Sequence, residues 1–359
     1  MMKAMFAFAF LFAVGTPAQQ PGSLTFTTFE APGAGTGDYQ GTIGLGVNTA
    51  GAIAGYYVDE GFVYHGFVRA ADGRITTFDA PGAGTANSQG TTAKSINVAG
   101  TIAGYYRDTN SVYHGFVRGA GGTLTTFDVP GGGTVSYEGT VPYSINAAGA
   151  VTGYYSDASS VYHGFVRGTD GTIARFDVPG AGTSANQGTA AFSINAAGAT
   201  TGNYIDASTV YHGFVRAADG TITTFDVPGA GTGPYQGALP ASINSTGAIA
   251  GSYSDASAVE HGFVRDADGT ITTFGIPGAS TSAESIDAAG AIAGEFTDSG
   301  DVNYGYVRTS NGAIITFRAP GSGQRANTGT GPTGISNTGA VAGFYLDRGS
   351  VYHGFLLTR

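Results

Sequence analysis

An aspartate followed six residues later by a histidine recurs along this chain: Asp59 and His65, Asp108 and His114, Asp157 and His163, Asp206 and His212, Asp255 and His261, Asp347 and His353. Asp298 keeps the pattern once more, with Tyr304 where the histidine would be. A carboxylate and an imidazole at fixed spacing could act as an acid–base pair or as half of a metal site. Seven copies argue against both, because chemistry needs one asymmetric site, whereas each copy of a structural unit needs its own turn capped and its polar groups paired. The expectation is structural: the aspartate closes an Asx-type turn and the histidine makes a satisfied hydrogen bond, which a phenol at Tyr304 can also make.

The elements that must carry these residues follow from the same ruler. The histidines and Tyr304 are spaced by 49 residues, except for 43 before Tyr304, so the chain holds seven units and the sixth has lost six residues. Residues 221 to 265 show four short stretches rich in β-branched and aromatic residues, broken by Gly, Pro, Asp and Asn, with no helical apolar stripe. Asp72-Gly73, Asp170-Gly171 and Asp219-Gly220 supply hairpin turns between the third and fourth stretches. Seven four-stranded antiparallel units at this period predict an all-β, seven-bladed β-propeller, one domain over residues 19–359. Residues 24 to 29 copy the fourth strand and the chain stops after a copy of the third, so pairing the two would close the ring and remove exposed edges. An open β-solenoid is the alternative, and it would leave these terminal copies without a reason to complement each other.

Two further motifs read as turns. Ser-Ile-Asn-x-x-Gly ends in Asn97, Asn146, Asn195 and Asn244, with Asp287 and Ser336 as variants. Pro-Gly-Ala-Gly-Thr recurs, lacks the lysine of a phosphate loop and leads into no helix.

Composition narrows the function classes. The 359 residues include 62 Gly, 22 Phe and 20 Tyr but no Cys and no Trp, which removes disulfides, thiol nucleophiles and thiolate metal sites. A net charge of −10 argues against nucleic acid and anionic lipid as partners. Lys3, the apolar run from Ala4 to Val14 and a small-residue exit near Ala18 read as a secretory signal peptide, residues 1–18, too short for a spanning helix. No other segment resembles a membrane span, so a secreted or periplasmic monomer is expected.

The combination Ile-Asn-x-x-Gly-x-Ile-x-Gly followed by His-Gly-Phe-Val resembles the bacterial extracellular repeats named for a His-Ala-Phe motif, and the likeness covers all seven units. Gly66 and its equivalents stand where that family has Ala, and Arg69, Arg118, Arg167, Arg216, Arg265 and Arg308 stand where its pattern continues into Trp. The resemblance implies an exported propeller-like repeat protein and transfers no catalytic residue.

Departures from the repeat mark candidate sites. The inter-blade loops carry Tyr39, Tyr137 and Tyr235 beside Gln40, Glu138 and Gln236, a set of aromatics and amides suited to stacking on pyranose rings and bonding hydroxyls. Unit six brings Glu284, Glu295 and Asp301, with Glu260 on the neighbouring unit, and such carboxylates could bind a hard cation such as calcium or act in glycan cleavage. No other cofactor is expected. The leading expectation is a non-catalytic exported module that binds carbohydrate or another surface component through its loop face. The alternatives are an interaction platform for a cell-envelope protein and a polysaccharide lyase or hydrolase at units five and six, against which stands the lack of any nucleophile motif.

Overall fold

The computed structural model describes residues 24–358, so the signal segment expected at 1–18 lies outside the described residues. β1 (Thr25–Phe29) precedes a four-stranded unit of β2 (Gly41–Val47), β3 (Ile53–Val58), β4 (Tyr64–Arg69) and β5 (Ile75–Phe78), each antiparallel to the next. The same order recurs to the end of the chain, giving 28 strands and no helix among the described residues. The last strand, Tyr352–Thr358, takes β1 as its outer partner from Thr25↔Thr358 to Phe29↔Gly354. The first and last strands of the described residues thus pair with each other.

The turns behave as their chemistry dictates. Asp59 Oδ1 accepts the amides of Gly61 and Val63, both at 2.8 Å, and the equivalent aspartates from Asp108 to Asp347 repeat this cap. In the hairpin after β4, Gly73 alone takes the positive φ, at 91°, while Asp72 accepts the Arg74 amide at 2.9 Å.

Packing between units is aromatic. Phe67, Phe116, Phe165, Phe214, Phe263 and Phe355, with Tyr306 in unit six, are fully buried. Each meets the phenylalanine of the preceding outer strand edge-on, as Phe29 meets Phe67 with centroids 5.9 Å apart. Burial of one such ring contributes about 1.5–3 kcal/mol. The outer phenylalanine lies flat against the glycine of the His-Gly-Phe motif: a Cβ on Gly164 would stand 2.5 Å from the Phe176 ring. This contact accounts for Gly rather than Ala in the motif. The arginine after the motif stacks instead over the outer phenylalanine of the preceding unit, Arg118 Cζ lying 4.6 Å from the Phe78 centroid.

Candidate functional site

The inner strand of every unit breaks register with its neighbour at one place, and the residue passed over is Leu45, Lys94, Tyr143, Phe192, Ala241, Glu284 or Thr333. A β-bulge leaves one residue unpaired and re-aims its side chain. Here all seven bulge residues line one cavity of about 440 Å³, bounded by the inner strands of all seven units. The residues that follow stay close to Ser-Ile-Asn, whereas this position holds seven different residues. The scaffold is repeated and the lining is asymmetric, which is the property a binding or catalytic site needs.

One wall is aromatic. Tyr143 and Phe192 meet at 4.9 Å with their planes at 62°, and Tyr154 closes behind them at 6.2 and 6.4 Å. Lys94 Nζ lies 4.2 Å from the Tyr143 centroid. Burial works to lower the Lys94 ammonium, but Tyr143, Tyr105 and Glu284 outweigh it and hold the group above its usual range. On the other side is Glu284, whose carboxylate accepts the Ser282 hydroxyl at 2.9 Å. Burial pushes its carboxyl up and Glu260 adds to this, against Ser282 and Lys94.

Behind the lining lie two more carboxylates. Glu260 accepts the hydroxyl of Ser252, itself a lining residue. Glu295 occupies the space left by Gly331, where a Cβ would stand 3.1 Å from its Oε2, and burial, then Glu284 and Glu260, raise its carboxyl to about 7. Glu260, Glu284 and Glu295 therefore form one electrostatic group. Asp301 does not join them. It sits at φ 58° in the turn after Ile292–Thr297 and lines a separate groove of about 660 Å³, opened by the six residues missing from unit six, together with His261 and Asp298. Among the described residues no group of three or more His, Asp or Glu is placed to hold a metal.

The loop-face residues divide. Tyr39, Tyr137 and Tyr235 are 53, 62 and 66% exposed, each leaning on the tyrosine that opens a neighbouring strand at 6.4–6.5 Å. Gln40 and Gln236, expected as ligand-binding amides, instead turn inward. Gln40 is 7% exposed, donates to Glu60 O at 3.1 Å and accepts the Gly37 amide at 2.8 Å. Gln236 makes the same pair of bonds with Ala256 O and the Gly233 amide. These bonds shape the loop.

The Asp–His pairs are held within their units, and in five of the six a third acidic partner, not read from the sequence, joins them. His65 stacks on Tyr57 at 4.8 Å, with Nε2 3.4 Å from Asp59 and Nδ1 3.0 Å from Asp79. Asp128, Asp177 and Asp226 repeat the role of Asp79, and Glu30 takes it for His353. His261 lacks this partner because Gly275 stands there. In unit six Arg318 replaces the acid just as Tyr304 replaces the imidazole, its Cζ 5.4 Å from the phenol centroid. The bulge ring was missed as well; its signal was the residue before Ser-Ile-Asn, different in every unit, and Lys94, one of two lysines in the chain with Lys3.

No protein-family model matches the chain, and no curated protein sequence does. Among solved structures, a streptogramin B lyase aligns with TM-score 0.59 at 14% identity, covering 93% of this chain and 98% of that one. A puromycin hydrolase aligns with TM-score 0.54 at 13% identity over 84% of this chain, which matches half of the hydrolase. An Aleuria aurantia lectin, described as a six-bladed β-propeller with a novel fucose recognition mode, aligns at TM-score 0.37 and 14% identity, over 76% of this chain and 92% of that one. At these identities the likeness concerns the fold, an all-β, propeller-like arrangement of repeated strand units.

Proposed function

We propose that the chain is an exported, non-catalytic propeller of the His-Ala-Phe repeat type, with seven blades closed by the pairing of its first and last strands, and that it binds carbohydrate. The observation that carries the reading is the bulge ring: seven equivalent positions turned into one cavity, each with a different side chain, on a repeated scaffold. Ring closure is supported by the β1 pairing and by Thr333, whose hydroxyl donates to Gly44 O at 2.9 Å across 289 residues. The aromatic wall and surrounding hydroxyls suit a sugar, and the volume falls within the range of about 300–1,000 Å³ of small-molecule sites. The site thus moves from the loop face to the interior.

The test is a glycan-array screen of residues 19–359 beside two variants. Ala241→Trp, which fills the cavity, should abolish binding, and the Tyr39, Tyr137 and Tyr235 triple Ala variant should keep it. Failure of the wild type to bind any glycan overturns the reading. The opposite pattern between the variants returns binding to the exposed tyrosines, the second reading, which their outward rings support.

A further inference from the structure

We infer that the ligand of this cavity carries a carboxylate, as a uronic acid does, and that Lys94 receives it. The inference rests on the carbohydrate reading above and deepens it.

Lys94 is the only lysine of the described residues and makes no ion pair among them, where every ion pair joins a histidine to a carboxylate. Its ammonium carries three donors and is partly desolvated, with one side covered by the Tyr143 ring. Because no carboxylate of the described residues stands within ion-pair distance of this ammonium, a ligand carboxylate can take that contact.

The rest of the lining is also rich in donors. Ser95, Ser144, Ser193 and Ser242 follow the bulge residues, and each oxygen accepts a backbone amide of the next unit at 3.1–3.4 Å. An oxygen used as acceptor leaves the hydroxyl hydrogen free to donate. Glu284, with its carboxyl pushed up by burial, holds its proton to higher pH than an ordinary glutamate and in that form also donates. Such a set matches an acceptor-rich ligand. A cation is disfavoured by Lys94, and a phosphate is better served by several cations or a guanidinium fork than by one ammonium. A single carboxylate on a pyranose ring fits one lysine, one aromatic wall and a row of hydroxyls.

The experiment is calorimetric titration of residues 19–359 with D-glucuronate, D-glucuronamide and D-glucose, repeated on Lys94→Met and Lys94→Arg, with thermal transitions recorded to verify folding. Glucuronate should bind at least tenfold more tightly than the other two, a preference that Lys94→Met abolishes and Lys94→Arg retains in part. Equal affinity for glucuronate and glucose overturns the inference and leaves the carbohydrate reading standing. A preference that survives Lys94→Met overturns the role of Lys94. No binding of any of the three sugars, together with an empty glycan array, overturns both.

Discussion

Asn48 Nδ2 donates to the backbone carbonyl of Asn97 at 3.0 Å, and the two residues are 49 positions apart, one repeat. The same asparagine closes its own turn, its Oδ1 accepting the amides of Ala50 and Ala52 at 3.0 Å. One side chain therefore shapes a hairpin within a unit and ties that unit to the next. The ladder continues through Asn97, Asn146, Asn195 and Asn244 to the carbonyl of Asp287. There it changes form, because a carboxylate has no N–H; Asn337 reaches back instead and accepts the Ala288 amide at 2.9 Å.

Asn146 separates the two roles. Asn146→Ser, which copies Ser336, keeps a hydroxyl to accept the turn amides and removes the donor to Asn195. A net hydrogen bond contributes about 1 kcal/mol, so the serine variant should lose about that much, while Asn146→Ala, which also strips the turn, should lose about 2–3 kcal/mol. Equilibrium urea denaturation reads both. Equal losses would mean that the inter-unit bond contributes nothing.

The triads of His65 and His353 give stability a pH dependence of predictable sign. Hydrogen bonding to Asp79 raises the His65 imidazole above its usual range against the opposing effect of burial, and Glu30 does the same for His353. A group with a raised folded pKa stabilises fully below its unfolded value, about 6.5, and the contribution is lost as pH climbs through the folded value. The melting temperature should therefore decline as pH rises above about 6.5. Asp79→Asn should flatten part of that decline; since Asp79 is half exposed, the effect at each triad is at most about 1 kcal/mol. A decline unchanged in Asp79→Asn and Glu30→Gln together would refute this origin.

Much of this architecture was legible because it repeats. The period, the strand order, the Asx turns at Asp59 and its equivalents, and the complementary end strands each follow from local chemistry copied seven times. What stayed hidden depends on direction. Gln40 and Tyr39 are adjacent in sequence, yet one amide is turned inward to bond Gly37 and Glu60 while the phenol faces out, and only the loop conformation decides that. Asp301 was grouped with Glu284 by proximity along the chain, but a turn and a strand carry them to different cavities. The bulge at Lys94 escaped for a related reason: a single register shift turns a strand position towards the cavity, and alternation alone does not reveal it.

Glycine in the motif carries a packing cost that can be measured. A Cβ on Gly164 would press on the Phe176 ring, whereas one on Gly153 would stand 2.2 Å from the backbone carbonyl of Val141. A ring can shift by a few tenths of an ångström and a paired carbonyl cannot. Gly164→Ala should cost about 1–3 kcal/mol and fold, while Gly153→Ala should cost more and abolish soluble expression or cooperative melting. Calorimetry on both variants orders them, and a Gly153→Ala protein as stable as Gly164→Ala would contradict the contact.

Glu295 adds a decline of the same sign as that of the histidines, arising from burial instead of from a gained partner. Burial, reinforced by Glu284 and Glu260, holds its carboxyl at about 7, well above the 4.5 of an ordinary glutamate. The folded state therefore keeps a proton that the unfolded chain has released, and stability falls as pH rises between those two values. Above pH 7 the penalty reaches on the order of 2–3 kcal/mol. Glu295→Gln keeps the shape beside Gly331 without the charge, so it should be more stable than the wild type at pH 8 and nearly equal at pH 4.5. Because Glu284 is one of the groups raising Glu295, Glu284→Gln should in turn move the midpoint of the wild-type decline to lower pH. A pH–stability curve unchanged in both variants would show that the carboxylates do not act as one group.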